Sequence, residues 1–273
     1  MMIDYPIIAK NLTFKAGFKK ILDNITLVLK KNEFVGVIGG SGSGKTTLLT
    51  CMNGYRTPSD GKIILNGIPG KEKNKIRHLI GYVPQDDIIH KTLSVERAFY
   101  YAYLLRVGDR TTDDKIESHV DEILHQLDLN EHKNKKIRSL SGGQRKRVNI
   151  GIELLHSPKL FFLDEPTSGL DPSLERQLMR LLDSLAEENR LIVLTTHLMQ
   201  NINLFDVLIF IHKGHMIYFG PSEEITKFFQ VSDMIELFDK VMSMKPVKLR
   251  DNFMRSSLNR EFLAPRLRAS AHV

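Results

Sequence analysis

The sequence predicts an α/β chain built around a parallel sheet covered on both faces. Three observations lead there. Short, nearly continuous apolar runs at Glu33–Ile38, Leu160–Leu163, Leu191–Thr195 and Val207–Ile211 have the length and composition of buried strands. Segments of helical period alternate with them, Leu174–Glu187 being the clearest. A long, mainly helical stretch from about Ser94 to Leu155 interrupts the alternation, so a helical block is inserted into the sheet.

The elements follow in chain order. Ile8–Phe14 and Ile25–Leu29 alternate as half-buried strands, with Ala16-Gly17 as the turn between them, and open an antiparallel β subdomain. The strand Glu33–Ile38 runs into glycines and then a helix from about Lys45. Lys62–Asn66 and Leu79–Pro84 are further short strands, separated by Asn-Gly and charged loop residues. In the helical block Val120, Ile123, Leu124, Leu127 and Leu129 keep nearly one face, and Gly142-Gly143 breaks the run. Phe99, Tyr100, Tyr101 and Tyr103 fit a helix core better than a base-stacking platform. His212 and His215 in "HKGH" have a spacing a metal could use, but Gly214 between apolar strands fits a hairpin turn.

Composition narrows the class. A chain of 273 residues can bury a large core. The single Cys51 excludes an internal disulfide or a multi-cysteine metal site, so a reducing, cytoplasmic setting is the default. Lying on the helix after the glycines, it reads as a small buried apolar residue. No stretch approaches the roughly 18 to 20 apolar residues of a bilayer span. Met1–Lys10, with an aspartate, a proline and no apolar core, is a poor secretion signal. The net charge of +7 is concentrated in the tail, where Lys245–Val273 holds seven Lys or Arg against two Asp or Glu. The remaining chain is close to neutral, with no basic, aromatic-interleaved stripe, so no nucleic-acid partner is expected. The tail is either solvated or lies beside an anionic membrane surface, where each basic residue contributes about 1 kcal/mol.

Three motifs carry chemistry. "GGSGSGKTT", comprising Gly39, Gly40, Ser41, Gly42, Ser43, Gly44, Lys45, Thr46 and Thr47, fits G-x-x-x-x-G-K-[ST] between a strand and a helix. Its glycines let the backbone wrap a phosphate with N–H groups pointing inward, and the helix N-terminus favours negative charge. Lys45 would bridge the β- and γ-phosphates, and the Thr46 hydroxyl would hold Mg²⁺. The predicted fold is therefore a P-loop NTPase (RecA-like) core with a parallel sheet, an N-terminal antiparallel β subdomain and the inserted helical subdomain. "KLFFLDEP" is a buried strand that places Asp164 and Glu165 at the C-terminal edge of the sheet, where ligands bind in such folds. Asp164 suits the outer shell of Mg²⁺, and Glu165 suits a general base for the attacking water. Adjacent carboxylates also serve as helix caps or lysine partners; the P-loop upstream favours the catalytic reading. "LSGGQRKRV" opens a helix with Ser141, Gly142 and Gly143, a second anion site of hydroxyl and N–H groups. One chain has no need of two γ-phosphate sites unless the second serves a partner.

From about Ile8 to Phe229 the sequence resembles the ATP-binding cassette (ABC) family: the P-loop, "LSGGQ", "LDEP", "SGLD" and "TTH" occur in that family's order. The resemblance implies a head-to-tail dimer with two ATP molecules between subunits. Lys45, Thr46, Asp164 and Glu165 would act on one ATP, while Ser141 and Gly143 contact the γ-phosphate of the other and Gln144 completes the signature. Asp171 matches the loop linking the two sites. His197 matches the switch histidine at the γ-phosphate, although alone it would read as an ordinary core histidine. Gln85 matches the glutamine that reaches Mg²⁺ and the water, at the junction with a membrane domain; the segment Ile88 to Leu93 after it is expected to face that partner. The family stacks adenine on an aromatic before the second strand, where the best register gives Ala16, with Phe14 and Phe18 as alternatives.

Finer wording, "GYVPQDD", "LSGGQRKRV", "LFFLDEPTSGLDPS" and "IYFGPSEEITKFF", resembles the G-type branch of eye-pigment and sterol exporters, and most of all bacterial members that often carry a phosphopeptide-binding FHA region. This divides the chain into an ATPase domain at 1–230, with a helical subdomain at about 87–156, and a basic extension at 231–273 leading toward a membrane domain. That membrane domain is either a separate protein or absent because this is an excised cassette; the G-type order and the basic tail favour the second. Leu249 and Phe253, then Met254, Leu258 and Phe262, fall at i,i+4 spacing, as in an amphipathic connecting helix or one docked on the chain's own cassette. The expectation is an ATPase at the cytoplasmic face of a membrane that partners a second copy and a transmembrane domain. Its rival, a soluble ATP-driven clamp on nucleic acid or ribosomes, usually carries two cassettes, a coiled-coil insertion or zinc cysteines. A regulatory, non-hydrolysing clamp is disfavoured by Glu165 and His197.

Overall fold

The structure, a computed structural model, describes residues 4–108, 112–197 and 201–272. The first three residues of the N-terminal segment, residues 109–111 of the expected helical block, residues 198–200 of the expected ATPase domain and Val273 of the basic tail lie outside the described residues.

The chain opens with the hairpin β1 (Ile7–Ala16) and β2 (Lys19–Leu29), whose turn is at Gly17-Phe18, one residue later than the sequence spacing predicts. After β3 (Phe34–Ile38) and α1 (Lys45–Met52) come β4 (Asp60–Leu65) and the two-residue β5 (Ile68–Pro69). These strands make an antiparallel sheet in the order β2-β1-β4-β5. The chain continues through α2 (Lys73–Ile76) and β6 (Ile80–Val83) into the helical block, α3 (Val95–Arg106), α4 (Asp113–Gln126) and α5 (Gly142–Leu154). It then returns as β7 (Leu160–Asp164), α6 (Pro172–Glu187), β8 (Leu191–Thr196) and the hairpin β9 (Val207–His212) and β10 (His215–Gly220). The second sheet has the order β10-β9-β3-β8-β7-β6 and is parallel except for that hairpin.

Every residue of β3, β7, β8 and β9 is buried, which is why these strands read as unbroken apolar runs. The side-chain period of two then serves two cores. Phe34, Phe161, Leu163, Ile192 and Leu194 pack with the helical block and α6. Val35, Val37, Leu160, Phe162 and Val193 pack on the other face with α1 and the antiparallel sheet. Cys51 lies in this second core, where burial pushes its thiol up to about 12.

The helical block is capped as its sequence prescribes. The Ser94 hydroxyl accepts from the Arg97 N–H, and Ser141 and Gln144 form a reciprocal capping box. Ile116, Val120, Ile123 and Leu124 make the buried stripe of α4. Phe99 and Tyr103 are core residues, but Tyr101 is 47 % exposed, against the expectation for the aromatic run. In a helix, positions 99 and 103 share a face that 101 does not.

Beyond the sheet lie α7 (Ile225–Phe229), α8 (Met234–Ser243), α9 (Pro246–Arg255), a π-helical turn at Asn259–Leu263 and α10 (Ala264–Ala269). Leu249 and Phe253 are buried against the chain's own body, with the Phe253 ring 6.3 Å from Tyr218 and 6.1 Å from Phe228. The i,i+4 stripe does not continue as one helix, because Ser256 takes an extended conformation after Arg255. Arg266 pins the far end: its Nη1 lies 2.7 Å from Glu33 Oε1 and 3.0 Å from Oε2, and its guanidinium sits 4.0 Å from the Phe262 ring centroid. Among the described residues no helix is long and apolar enough to cross a membrane.

Candidate nucleotide-binding site

Five parallel strands deliver their C-terminal ends to one edge, and the residues after β3, β6, β7 and β8 that stand out in the sequence meet there. The loop after β3 wraps back on itself. Gly39 has φ +151, and a Cβ there would stand 2.2 Å from the Ile211 carbonyl oxygen, so no other residue fits. Gly44, at φ +112, precedes α1, which begins with no side-chain cap, so its first-turn N–H groups face the loop without an internal partner. The Ser43 hydroxyl is buried and also lacks a partner. Lys45 Nζ donates to the carbonyl oxygens of Gly39 at 2.9 Å and Gly40 at 3.2 Å, holding the loop closed around its own ammonium. Burial pushes this lysine below the ordinary range, while Glu165 and Asp164 oppose the shift.

Opposite the loop stand the carboxylates at the end of β7. Asp164 is 3 % exposed and accepts a hydrogen bond from Thr46 Oγ1 at 3.1 Å. Glu165, next along the chain, has φ +45, a left-handed backbone that is uncommon outside glycine. That twist turns its carboxylate toward three other groups. Gln85 Nε2 donates to Glu165 Oε2 at 3.4 Å, His197 Nδ1 lies 3.4 Å from the same oxygen, and Lys45 Nζ is 3.9 Å from Oε1. The Glu165 side chain is 18 % exposed and that of His197 50 %, so both are open to water while Asp164 is not. His197 is therefore no core histidine.

The structure thus brings Lys45, Thr46, Asp164, Glu165, Gln85 and His197 together. It places Ser141, Gly142, Gly143, Gln144 and Asp171 elsewhere. Ser141 bonds within its own capping box, and Gln144 Nε2 reaches His132 Nε2 at 2.7 Å. Asp171 caps α6, accepting from the Ser173 and Leu174 N–H groups at 3.0 and 3.1 Å. Beside Gly142 there is open space for a Cβ, whereas one on Gly143 would lie 3.3 Å from Leu174 Cδ1.

Two residues that sequence reasoning gave no role complete the site. Thr195 Oγ1 donates to Asp164 Oδ1 and accepts from the Glu165 N–H at 2.9 Å, tying the Asp164 carboxylate and the Glu165 backbone to β8. Lys146 Nζ donates to the Gln85 carbonyl oxygen at 2.9 Å. Both residues stand inside motifs quoted for their neighbours, "TTH" and "LSGGQRKRV", and that position was the only available signal. Near the loop, Phe18 is a fully exposed ring at the β1–β2 turn, while Phe14 packs against Arg56 at 5.5 Å. That turn lies close to the loop, since Ile21 and Leu22 stand where a Cβ on Gly44 would go, 3.2 Å from the Ile21 oxygen.

Fold and site together define a P-loop nucleoside triphosphatase. The family model described as "ABC transporter" matches residues 22–168. The chain belongs to the ABC transporter family and is an ABC-type ATPase cassette. It is 38 % identical over 227 residues to the ABC transporter ATP-binding/permease protein Rv1747 of Mycobacterium tuberculosis, covering 82 % of this chain and 26 % of that one. It is 36 % identical to ABC transporter G family member 14 of Arabidopsis thaliana, over 80 % of this chain and 34 % of the relative. The G-type wording of the motifs agrees with these matches. The chain spans no more than about a third of the length of either relative. Among solved structures, cbiO1 from Clostridium perfringens, part of the transporter complex cbiONQ, superposes with a TM-score of 0.75 at 29 % identity, covering 90 % of this chain and 98 % of that one. The cassette MJ0796, a dimer in a post-hydrolysis state bound to ADP and Pi, gives 0.71 at 26 % identity, over 79 % of this chain and 98 % of that one.

Proposed function

We propose that the chain binds Mg²⁺–ATP on its P-loop, hydrolyses it between two head-to-tail copies, and thereby drives an exporter at the cytoplasmic face of a membrane. The observation that carries this reading is the division of the site: six groups converge at the sheet edge, while the signature helix presents Ser141–Gly143 elsewhere with open space at Gly142. Each half is incomplete alone.

In this reading each residue's surroundings support one role. Lys45, now on two loop carbonyls, exchanges them for phosphate oxygens, and the unpartnered Ser43 hydroxyl and first-turn N–H groups supply further donors. Thr46 and Asp164, in contact with each other, and Gln85, on the neighbouring Glu165, carry the hard oxygen donors that a small divalent cation would take while keeping its waters. When bound, Mg²⁺ supplies neutralisation of the phosphate charge. Glu165, exposed to water and flanked by Gln85 and His197, orients the attacking water and accepts its proton, a role worth roughly 10²- to 10⁴-fold in rate. Asp164, shielded and doubly hydrogen-bonded, stays a fixed acceptor. Phe18 is the aromatic best placed to stack on adenine.

The membrane partner has a surface to meet. Between the loop after β6 and helices α3 and α5 runs a groove of about 250 Å³ lined by Pro84, Ile88, Leu93, Tyr101 and Leu105. Ile88 and Leu105 are 68 % and 87 % exposed, an apolar display that suits a short helix from a transmembrane domain. A soluble clamp on nucleic acid is not favoured, since the relatives found are transporters.

The test is Glu165→Gln. It should abolish turnover and convert the ATP-bound chain from a transient to a stable dimer in sedimentation velocity. Unchanged hydrolysis would remove the general base from this account.

A further inference from the structure

One face of α5 grips the loop that carries Gln85. Lys146 Nζ donates to the Gln85 carbonyl oxygen at 2.9 Å, and Asn149 Nδ2 donates to Asp87 Oδ1. Glu153 Oε2 accepts from the Tyr82 N–H at 3.3 Å, and Arg145 Nε lies 3.7 Å from Asp87 Oδ2. Positions 146, 149 and 153 are three and four apart, so these side chains line one side of the helix. The rungs follow the segment from the middle of β6 to two residues past Gln85.

All three rungs are buried, Lys146 and Asn149 at 6 % exposure and Glu153 at 7 %. A buried lysine and a buried glutamate are costly unless paired. Here Glu153 is held by both Nη groups of Arg106 from α3. Lys146 loses solvation, which pushes it below the ordinary lysine range, while Asp87, Asp86 and Asp164 hold its charge in place. A surface ion pair would have been enough to tether a loop. Three buried polar contacts from one helix fix the loop's position and orientation instead.

The other end of α5 is the signature. Ser141 caps its first turn, and its 13 residues span about 20 Å as one rigid rod. Ser141–Gly143 and Gln85 are therefore joined by a single helix and its side chains, with no flexible segment between them.

We propose that Lys146 and Asn149 are positioning residues that make α5 and the Gln85 loop one lever. Seating the partner copy's ATP on Ser141–Gly143 then sets Gln85 in the chain's own site. The proposal rests on the two-copy reading above and adds the element through which one site acts on the other.

Lys146→Met and Asn149→Ala, made separately in the full chain, test it at different rungs. The first readout is hydrogen exchange of residues 84–90 without nucleotide, which should quicken by about ten-fold or more as local opening becomes easier. The second is steady-state ATPase, in which kcat should fall about ten-fold while KM for ATP stays within about two-fold. ATP-driven dimerisation in a Glu165→Gln background should persist. The third is a double-mutant cycle: with Gln85→Ala already present, Lys146→Met should cause no further loss, because it acts through Gln85. A merely structural role would give additive losses, which would overturn the proposal. Unchanged exchange at 84–90 in both variants overturns the grip itself and leaves the two-copy reading intact. A wild-type chain that never dimerises with ATP removes that premise, even if exchange quickens as expected.

Discussion

At the scale of single residues, the site depends on side chains that hold other side chains. Thr195 is fully buried at the end of β8 and bonds to both carboxylate residues at once. Thr195→Val keeps the shape but removes the acceptor for the Glu165 N–H and the donor to Asp164. An unsatisfied buried N–H costs about 1–3 kcal/mol, and Glu165 would no longer be held in its left-handed conformation. The expected result is a kcat lower by about ten-fold with ATP affinity little changed, and recovery in Thr195→Ser. The P-loop and "LDEP" were legible because their chemistry is contiguous along the chain. Thr195 and Lys146 were not, because each acts on a partner 30 or 61 residues away that only the fold brings near.

At the scale of elements, the β9–β10 hairpin backs the P-loop. The Gly214 N–H donates to the Ser43 carbonyl oxygen at 2.9 Å, and its own carbonyl accepts from the Asp23 N–H at 2.9 Å, tying the loop to β2. His212 and His215 flank this turn, and burial pushes both below the ordinary histidine range. Around His215 stand Asp23 and Lys20 from β2 and Arg250 and Asp251 from α9; around His212 stand Lys213 and His215. Both histidines are thus harder to protonate in the fold than in the unfolded chain. Below about pH 6.5 the unfolded state binds more protons, so stability falls as pH falls, by up to about 1.4 kcal/mol per unit of depression. Thermal unfolding from pH 7.5 to 5.0 should show this, and His212→Gln should flatten the slope; an identical slope in the variant would exclude His212. The hairpin itself was legible from Gly214 between apolar runs. Its role behind the P-loop was not, because sequence spacing says nothing of which turn packs behind which loop.

At the scale of the molecule, two cores share one sheet, and the period of two in β3, β7 and β8 feeds both. The sheet was legible as runs, whereas the assignment of alternate residues to opposite cores required the helices' placement. The extension after residue 230 was read only in part. Leu249 and Phe253 do share a buried face, but the break at Ser256 and the Arg266–Glu33 pair are tertiary facts. Across two molecules, the central claim is that each ATP site takes its P-loop from one copy and its signature from the other. Complementation measures this most directly. Lys45→Ala should destroy the P-loop and spare the signature, while Gly143→Asp, which places a carboxylate against Leu174, should do the reverse. Each variant alone should be inactive. Mixed, they should recover a measurable share of wild-type ATPase, because a mixed dimer holds one intact composite site. Two folded but inactive variants whose mixture stays inactive would contradict the account.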